Sequence, residues 1–329
     1  MKVCNSKLPE ETPDYIVSNC NVGNLEKVTE ELFRLQDIPQ FKMDNIVKKV
    51  EELFEKHVAG TIKMNIKEHP VLAEELANET YGSEKRKHIL QTSSMLGIMQ
   101  ENSFLQPKTC FIEFGAGKAA VTFWLASALK DVSFTKVLVV DKASHRHKRD
   151  NLIQDRDLVE RIRADIADLD LKGLDMVDRC ESFCGVSKHL CGAATDLTLR
   201  CMVQGNQHIR KTKNFIICVC CHHRCDWNTF VGKEWFVAND IDKETFNVMI
   251  KMVSWSVCGD GRNRNKRDTV DVKEAERKEK EEIGWKCKRL IDFARLEYLN
   301  DNKYDAKMNF YTEKSVTLEN VCLIGKYRI

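Results

Sequence analysis

No stretch of this sequence is apolar and long enough to cross a bilayer as a helix. The longest apolar runs, such as residues 215–221, are only strand-length. The first twenty residues lack the apolar core of a secretory signal. Charge of one sign is also lacking: 52 Lys and Arg against 50 Asp and Glu leave a formal net charge of +2. That balance excludes a molecule-wide basic field, so any nucleic-acid partner must be met by a local patch. There is no internal repeat, which excludes solenoid architectures. Cysteine, by contrast, is plentiful. Fourteen cysteines with no secretory signal point to reduced thiols in the cytoplasm or nucleus, not to a disulfide framework. The 329 residues suit one large or two modest domains. The 43% apolar content supports a core, and the 31% charged content predicts long solvated faces or an insertion.

Residues 1–22 are polar, contain Pro9 and Pro13, and read as a tail. Residues 23–105 carry a helical pattern, in which Val28, Leu32, Leu35 and then Ile46, Val50, Leu53 and Phe54 recur at spacings of three and four. Strand signals begin at Thr109. CFIEF (110–114) and KVLVV (136–140) flank a helical pattern at 118–130, and further candidates lie at 160–166, 182–187 and 215–221. Apolar strands alternating with helices predict a parallel sheet covered on both faces. The closing pair, 309–314 and 317–327, is spaced as an antiparallel hairpin. Five βα units ending in such a hairpin predict an α/β, class I S-adenosylmethionine-dependent methyltransferase fold over residues 106–329. This is a Rossmann-like, mostly parallel sheet, with the helical region before it and a charged insertion at about 260–282.

Glu113-Phe-Gly115-Ala-Gly117-Lys118 follows the first strong strand and opens a helix. Glycines there let the chain turn tightly and bring bare amide N–H groups to a ligand. Glu113 stands where a carboxylate can reach a cationic aminoacyl or sulfonium group. Asp141 ends the second strand, where an acid accepts ribose hydroxyls, and Asp165 ends the third, where one receives an adenine amino group. A Walker A loop fails, because Ala119 follows Lys118 where Ser or Thr is required. A dinucleotide fold, tolerating Ala120 at the third glycine position, stays open. So do simple caps as the roles of Asp141 and Asp165.

Two rarer segments, Ser187-Lys-His-Leu-Cys-Gly-Ala-Ala-Thr-Asp196 and Cys220-Cys-His-His-Arg-Cys-Asp-Trp227, complete the pattern. Together with 111–120 they resemble the eukaryotic tRNA 2′-O-methyltransferases that modify the fourth nucleotide of the acceptor stem. The likeness runs from about Tyr15 to the C-terminus. It implies S-adenosylmethionine as methyl donor and the tRNA acceptor stem as partner, with no DNA or membrane. Members of that family usually carry Cys/His zinc modules before the catalytic part. Cys4 and its neighbours look like the tail of one, and Cys4 with Cys20 cannot complete a tetrahedral site. Zinc is therefore expected only at an N-terminal module largely absent here, and the chain reads as a fragment, an isoform or a diverged member. Alternatives are a methyltransferase for another substrate and a catalytically silent RNA-binding relative. Intact Glu113, Gly115, Gly117 and Asp141 argue against silence.

Methyl transfer to a hydroxyl requires alignment, desolvation and management of one proton. The reacting centre of an open α/β sheet lies beyond the carboxyl ends of its central strands. Lys188 and His189 follow the fourth strand; Cys221, His222, His223 and Arg224 follow the fifth. Lys188 reads as a cation for the forming alkoxide, a desolvated base or a phosphate ligand, and His189 as a base or a packing residue. Arg224 suits a substrate phosphate, with a structural ion pair as its rival. Thr195 and Asp196 read as helix-start residues. For Cys220–Cys225, zinc, active-site lining and plain packing are all open, with Cys191 able to add a ligand from the neighbouring strand end. Because successive strand residues point to opposite faces, no metal is expected in the catalytic domain. RNA contacts are expected from Lys142, Arg146, Lys148 and Arg149 with His145 and His147, on a helix after Asp141, unless this is only a solvated face. A second basic stretch runs from Trp285 to Arg289. Residues 260–282 read as a loop running into a solvated helix, or as an RNA-gripping arm on Arg262, Arg264, Lys266 and Arg267.

Overall fold

The computed structural model describes residues 12–23, 33–209, 212–256 and 270–328. The apolar spacing of the N-terminal region yields α1 (Gln40–His57), which buries Ile46, Val50, Leu53 and Phe54 on one stripe. A two-residue strand, β1 (Lys63–Met64), interrupts the expected run of helices before α2 (Ala73–Ala77) and α3 (Ser83–Glu101). The Rossmann-like part then alternates as β2 (Thr109–Phe114), α4 (Ala120–Ala128), β3 (Lys136–Val140), β4 (Val159–Ile162), α5 (Asp175–Asp178), β5 (Ser182–Cys191), α6 (Ala193–Ile209) and β6 (Thr212–Cys220). It closes with α7 (Lys233–Ala238), α8 (Lys243–Val253), α9 (Val270–Asp301), β7 (Tyr304–Phe310) and β8 (Val321–Tyr327).

All eight strands join one sheet in the order β1-β7-β8-β6-β5-β2-β3-β4. From β4 to β6 every pairing is parallel, and β8 lies antiparallel between β6 and β7. The α/β class, the parallel sheet and the C-terminal hairpin are those of a class I methyltransferase. Every residue of β2 is buried, as a strand covered on both faces requires. One face packs against α1 and α6–α9, the other against α3 and α4.

Several expectations need correction. No α-helix follows β3: residues 142–148 are a loop ending in a 3-10 turn at Arg149–Leu152, because this polar run has no apolar stripe to bury. The hairpin begins at Tyr304, earlier than expected, since Tyr304 and Met308 both fill the core. The helix after the charged insertion is solvated only at its start. Residues 274–280 are exposed, whereas Ile283, Cys287, Leu290, Ile291 and Ala294 are buried. Cys4, Val28, Leu32 and the basic arm at Arg262, Arg264, Lys266 and Arg267 fall outside the described residues. Among the described residues no helix is long and apolar enough to cross a membrane.

Candidate active site

The turn after β2 depends on left-handed backbone at Gly115 (φ 63°), Gly117 (φ 54°) and also Ala119 (φ 57°). A Cβ at Gly117 would meet nothing within 4 Å, so its bare backbone faces open space. The Asp141 carboxylate closes this loop: Oδ2 accepts the Gly117 amide at 2.7 Å, and Oδ1 accepts the Ala143 amide at 2.7 Å. His145 Nε2 lies 3.2 Å from the same Oδ1. Gly115 and Gly117 thus form one cluster with Asp141, 24 residues beyond Gly117, at the carboxyl ends of β2 and β3.

Glu113 is placed differently. It is buried, and its Oε2 accepts the Thr122 amide at 2.9 Å and the Thr122 hydroxyl, which anchors the first turn of α4. Burial pushes its carboxyl up to about 7. The folded state therefore holds this proton more tightly than the unfolded chain. The resulting stability is full below the ordinary value of 4.5 and is lost as pH rises through about 7. Glu113→Gln keeps an oxygen acceptor for Thr122. It is expected to match the wild type in melting temperature at about pH 4.5 and to exceed it at about pH 8. A difference that is the same at both pH values would rule out a neutral Glu113. Asp165 lies three residues beyond β4, where its carboxylate caps a 3-10 turn through the Ala167 amide (3.1 Å) and pairs with Lys142 (2.9 Å).

At the ends of β5 and β6, the register jumps between Ser187 and Leu190, leaving Lys188 and His189 in an irregular stretch. Lys188 is buried and points at α3, where its ammonium donates to the His88 carbonyl (3.0 Å) and Thr92 Oγ1 (3.2 Å). Burial lowers it to about 8. His189 remains accessible to solvent, with its ring edge-on to His88 at 6.0 Å. The surrounding protein, then Lys188 and His88, hold its imidazole down to about 4, below the natural value on which a basic role was expected to rest. Arg224 is exposed, and its backbone carbonyl sits so close to Gly192 that a Cβ there would lie 2.3 Å away. That approach locks the loop after β6 against the loop after β5.

The cysteine geometry departs from strand alternation. β6 ends at Cys220, and Cys221 adopts a left-handed backbone (φ 49°, ψ 45°). The chain turns back there, and the sulfur atoms of Cys191, Cys220 and Cys221 all lie within 4.8 Å of one another. Alternation therefore gives no ground for excluding a metal at these three residues.

The rest of the two rare motifs is structural. Asp196 in the first turn of α6 binds Arg295 of α9 through two bonds, Nε–Oδ1 at 3.0 Å and Nη2–Oδ2 at 2.6 Å. Arg295 also reaches Asp292 (3.2 Å) and the Cys225 sulfur (3.1 Å). Asp292 in turn accepts from His222 Nε2 at 2.7 Å and pairs with Arg289 at 3.2 Å. All five charged or imidazole side chains are at most 1% exposed. Sequence reading missed Asp292 and Arg295, and took Arg289 only as part of a basic stretch. Charges inside an otherwise apolar helical pattern were the available signal.

The basic stretch at Trp285–Arg289 is likewise internal. Lys286 pairs with Glu51 and Glu282, Lys288 with Glu319 and Arg289 with Asp292, and all three basic side chains are buried. They cannot form an RNA-facing surface.

The family model described as "Methyltransferase TRM13" matches residues 90–326. The tRNA:m(4)X modification enzyme TRM13 homolog of Mus musculus is 30% identical over 393 residues, covering 98% of this chain and 81% of that protein. The tRNA:m(4)X modification enzyme TRM13 of Schizosaccharomyces pombe is 26% identical over 349 residues, covering 100% and 90%. Among solved structures, coclaurine N-methyltransferase bound to N-methylheliamine and SAH aligns with a TM-score of 0.35. It is 13% identical and covers 89% of this chain and 90% of that one. The match of the family model across β2 to β8, including the glycine loop and both rare motifs, shows that the chain belongs to the TRM13 methyltransferase family.

Proposed function

We propose that this chain transfers a methyl group from S-adenosylmethionine to a ribose 2′-hydroxyl in the acceptor stem of tRNA. The observation that carries the reading is the 2.7 Å bond between Asp141 and the Gly117 amide. It joins an open glycine loop and a strand-end acid into one ligand cradle. The names of the relatives, tRNA:m(4)X modification enzymes, support tRNA as the acceptor. Gly115, Gly117 and Asp141 would hold the polar parts of the donor, with Asp165 at its adenine end and Glu113 setting the helix start beneath it. The donor supplies a methyl group on a sulfonium that already carries its leaving group.

The protein's own task is then alignment and proton handling. His189, neutral at physiological pH and accessible to solvent, can orient the hydroxyl as a hydrogen-bond partner. Arg224, on the facing loop, presents a forked guanidinium suited to a phosphate. Lys188 braces the β5 end against α3 and adds to the burial that keeps His189 neutral. The test is to incubate the chain with labelled donor and bulk tRNA and then map the product. A 2′-O-methylated nucleoside at the fourth position supports the reading. A methylated base, or equal activity on a free nucleoside, overturns it.

Arg146 is exposed and Lys148 half-buried on the loop after β3, beside the cradle. These residues are the surviving basic run. Reversing both to Glu is expected to raise the KM for tRNA several-fold and to flatten its salt dependence, because phosphate contacts release counterions. Donor affinity should stay unchanged. An unaltered KM at low and high salt would remove this loop from the RNA surface.

A further inference from the structure

We propose that Cys191, Cys220 and Cys221 form a thiolate site for one zinc ion at the carboxyl ends of β5 and β6. The spacing matches the chemistry. Tetrahedral zinc with Zn–S bonds of about 2.3 Å places its sulfurs about 3.8 Å apart. Here Cys191 Sγ lies 3.8 Å from Cys220 Sγ and 3.3 Å from Cys221 Sγ, and no pair exceeds 4.8 Å.

The backbone builds this arrangement without help from an ion. Cys191 pairs in register with Cys220, and the Gly192 amide donates to the Cys220 carbonyl at 3.3 Å. The left-handed turn at Cys221 then brings a second sulfur from adjacent residues to the same side. A left-handed non-glycine residue is disfavoured on its own, and gathering three ligands is a reason for its use here.

The electrostatics favour a cation held by thiolates. Arg224 and His223 stand on the turn that carries Cys221, so cationic and imidazole groups lie beside the sulfur cluster. Zinc binding displaces the thiol protons to solvent without any redox change. Three thiolates around a divalent ion leave one net negative charge, which Arg224 offsets. Cys184, Cys201 and Cys287 are buried outside this cluster, and each packs as a small hydrophobe. His222 is committed to Asp292 and does not join. Cys191 and Cys221 are half-buried, so the fourth position opens to solvent and is left to water. The site does not depend on the methyl-transfer reading.

The experiment measures zinc on the full chain, purified with a non-thiol reductant, saturated with zinc sulfate and gel-filtered. One zinc per chain is expected, lost in Cys191→Ser and in Cys221→Ser and retained in Cys20→Ser. Both deleted cysteines are half-buried, and circular dichroism checks that the variants fold. Cobalt in place of zinc should give thiolate-to-metal charge-transfer absorption with the intensity of three sulfur ligands. Affinity should fall as pH is lowered, because the metal competes with protons. The proposal is overturned if no zinc is retained, if both folded serine variants keep it, or if mass spectrometry finds a disulfide among the three cysteines in the reduced protein.

Discussion

Asp292→Ala is expected to lower the free energy of unfolding by about 3–5 kcal/mol, the range for removing one partner from a buried ionic network. Asp292 is fully buried and faces three groups: His222 at 2.7 Å, Arg295 at 3.2 Å and Arg289 at 3.2 Å. Deleting its carboxylate takes the acid partner from the buried Arg289 and leaves Arg295 with Asp196 alone. Replacing Arg289, Arg295 and both acids together by apolar residues of similar volume should cost far less, since no charge of the network is then left alone. Although burial alone would raise it, His222, Arg289 and Arg295 hold the Asp292 carboxyl well below its ordinary value of 3.8. Its stabilisation is therefore present above that value and is lost as pH falls towards the folded-state value. Urea unfolding at neutral pH measures the effect. A loss under about 1 kcal/mol would mean the network behaves like an exposed ion pair. The same clamp ties α9 to the loops carrying Arg224 and Gly192. Variants that still fold should therefore lose turnover before they lose donor binding.

Asp141→Ala is expected to weaken S-adenosylmethionine binding by about 1.5–3 kcal/mol, on the order of 10- to 100-fold in Kd. Both carboxylate oxygens accept backbone amides, Gly117 at one and Ala143 at the other. The residue therefore shapes the loop as well as offering charge to a ligand. Asp141→Asn should give little rescue. Whichever way the amide is turned, its NH2 group faces an N–H donor. Isothermal titration calorimetry with the donor, alongside a thermal melt of the free protein, separates the two effects. Unchanged donor affinity, or tighter binding of a nicotinamide dinucleotide than of S-adenosylmethionine, would contradict the assignment.

Local chemistry made the scaffold legible in the sequence. Short β-branched runs at 110–114 and 136–140 could only be strands buried on both faces. A glycine pair after the first of them forced the turn that Asp141 closes. The two rare motifs pointed to the family because each is specific as a string of residues. The roles within those motifs were not legible. Asp196 meets a partner 99 residues away and His222 one 70 residues away, and no local pattern encodes such a distance. For the same reason Lys286, Lys288 and Arg289 read as a basic patch. Only their acids on α1, on α9 itself and before β8 show them to be internal. Lys188 looked free for chemistry until α3 was seen to take its ammonium. Strand alternation kept the cysteines apart until one left-handed residue brought Cys221 back beside Cys191. Periodicity and turn chemistry act between near neighbours, so the sequence by itself determined the strands, the glycine loop and the family. Burial and charge pairing act between residues distant in the chain. Only the tertiary structure decided which polar side chains stay open to solvent and which hold the fold together.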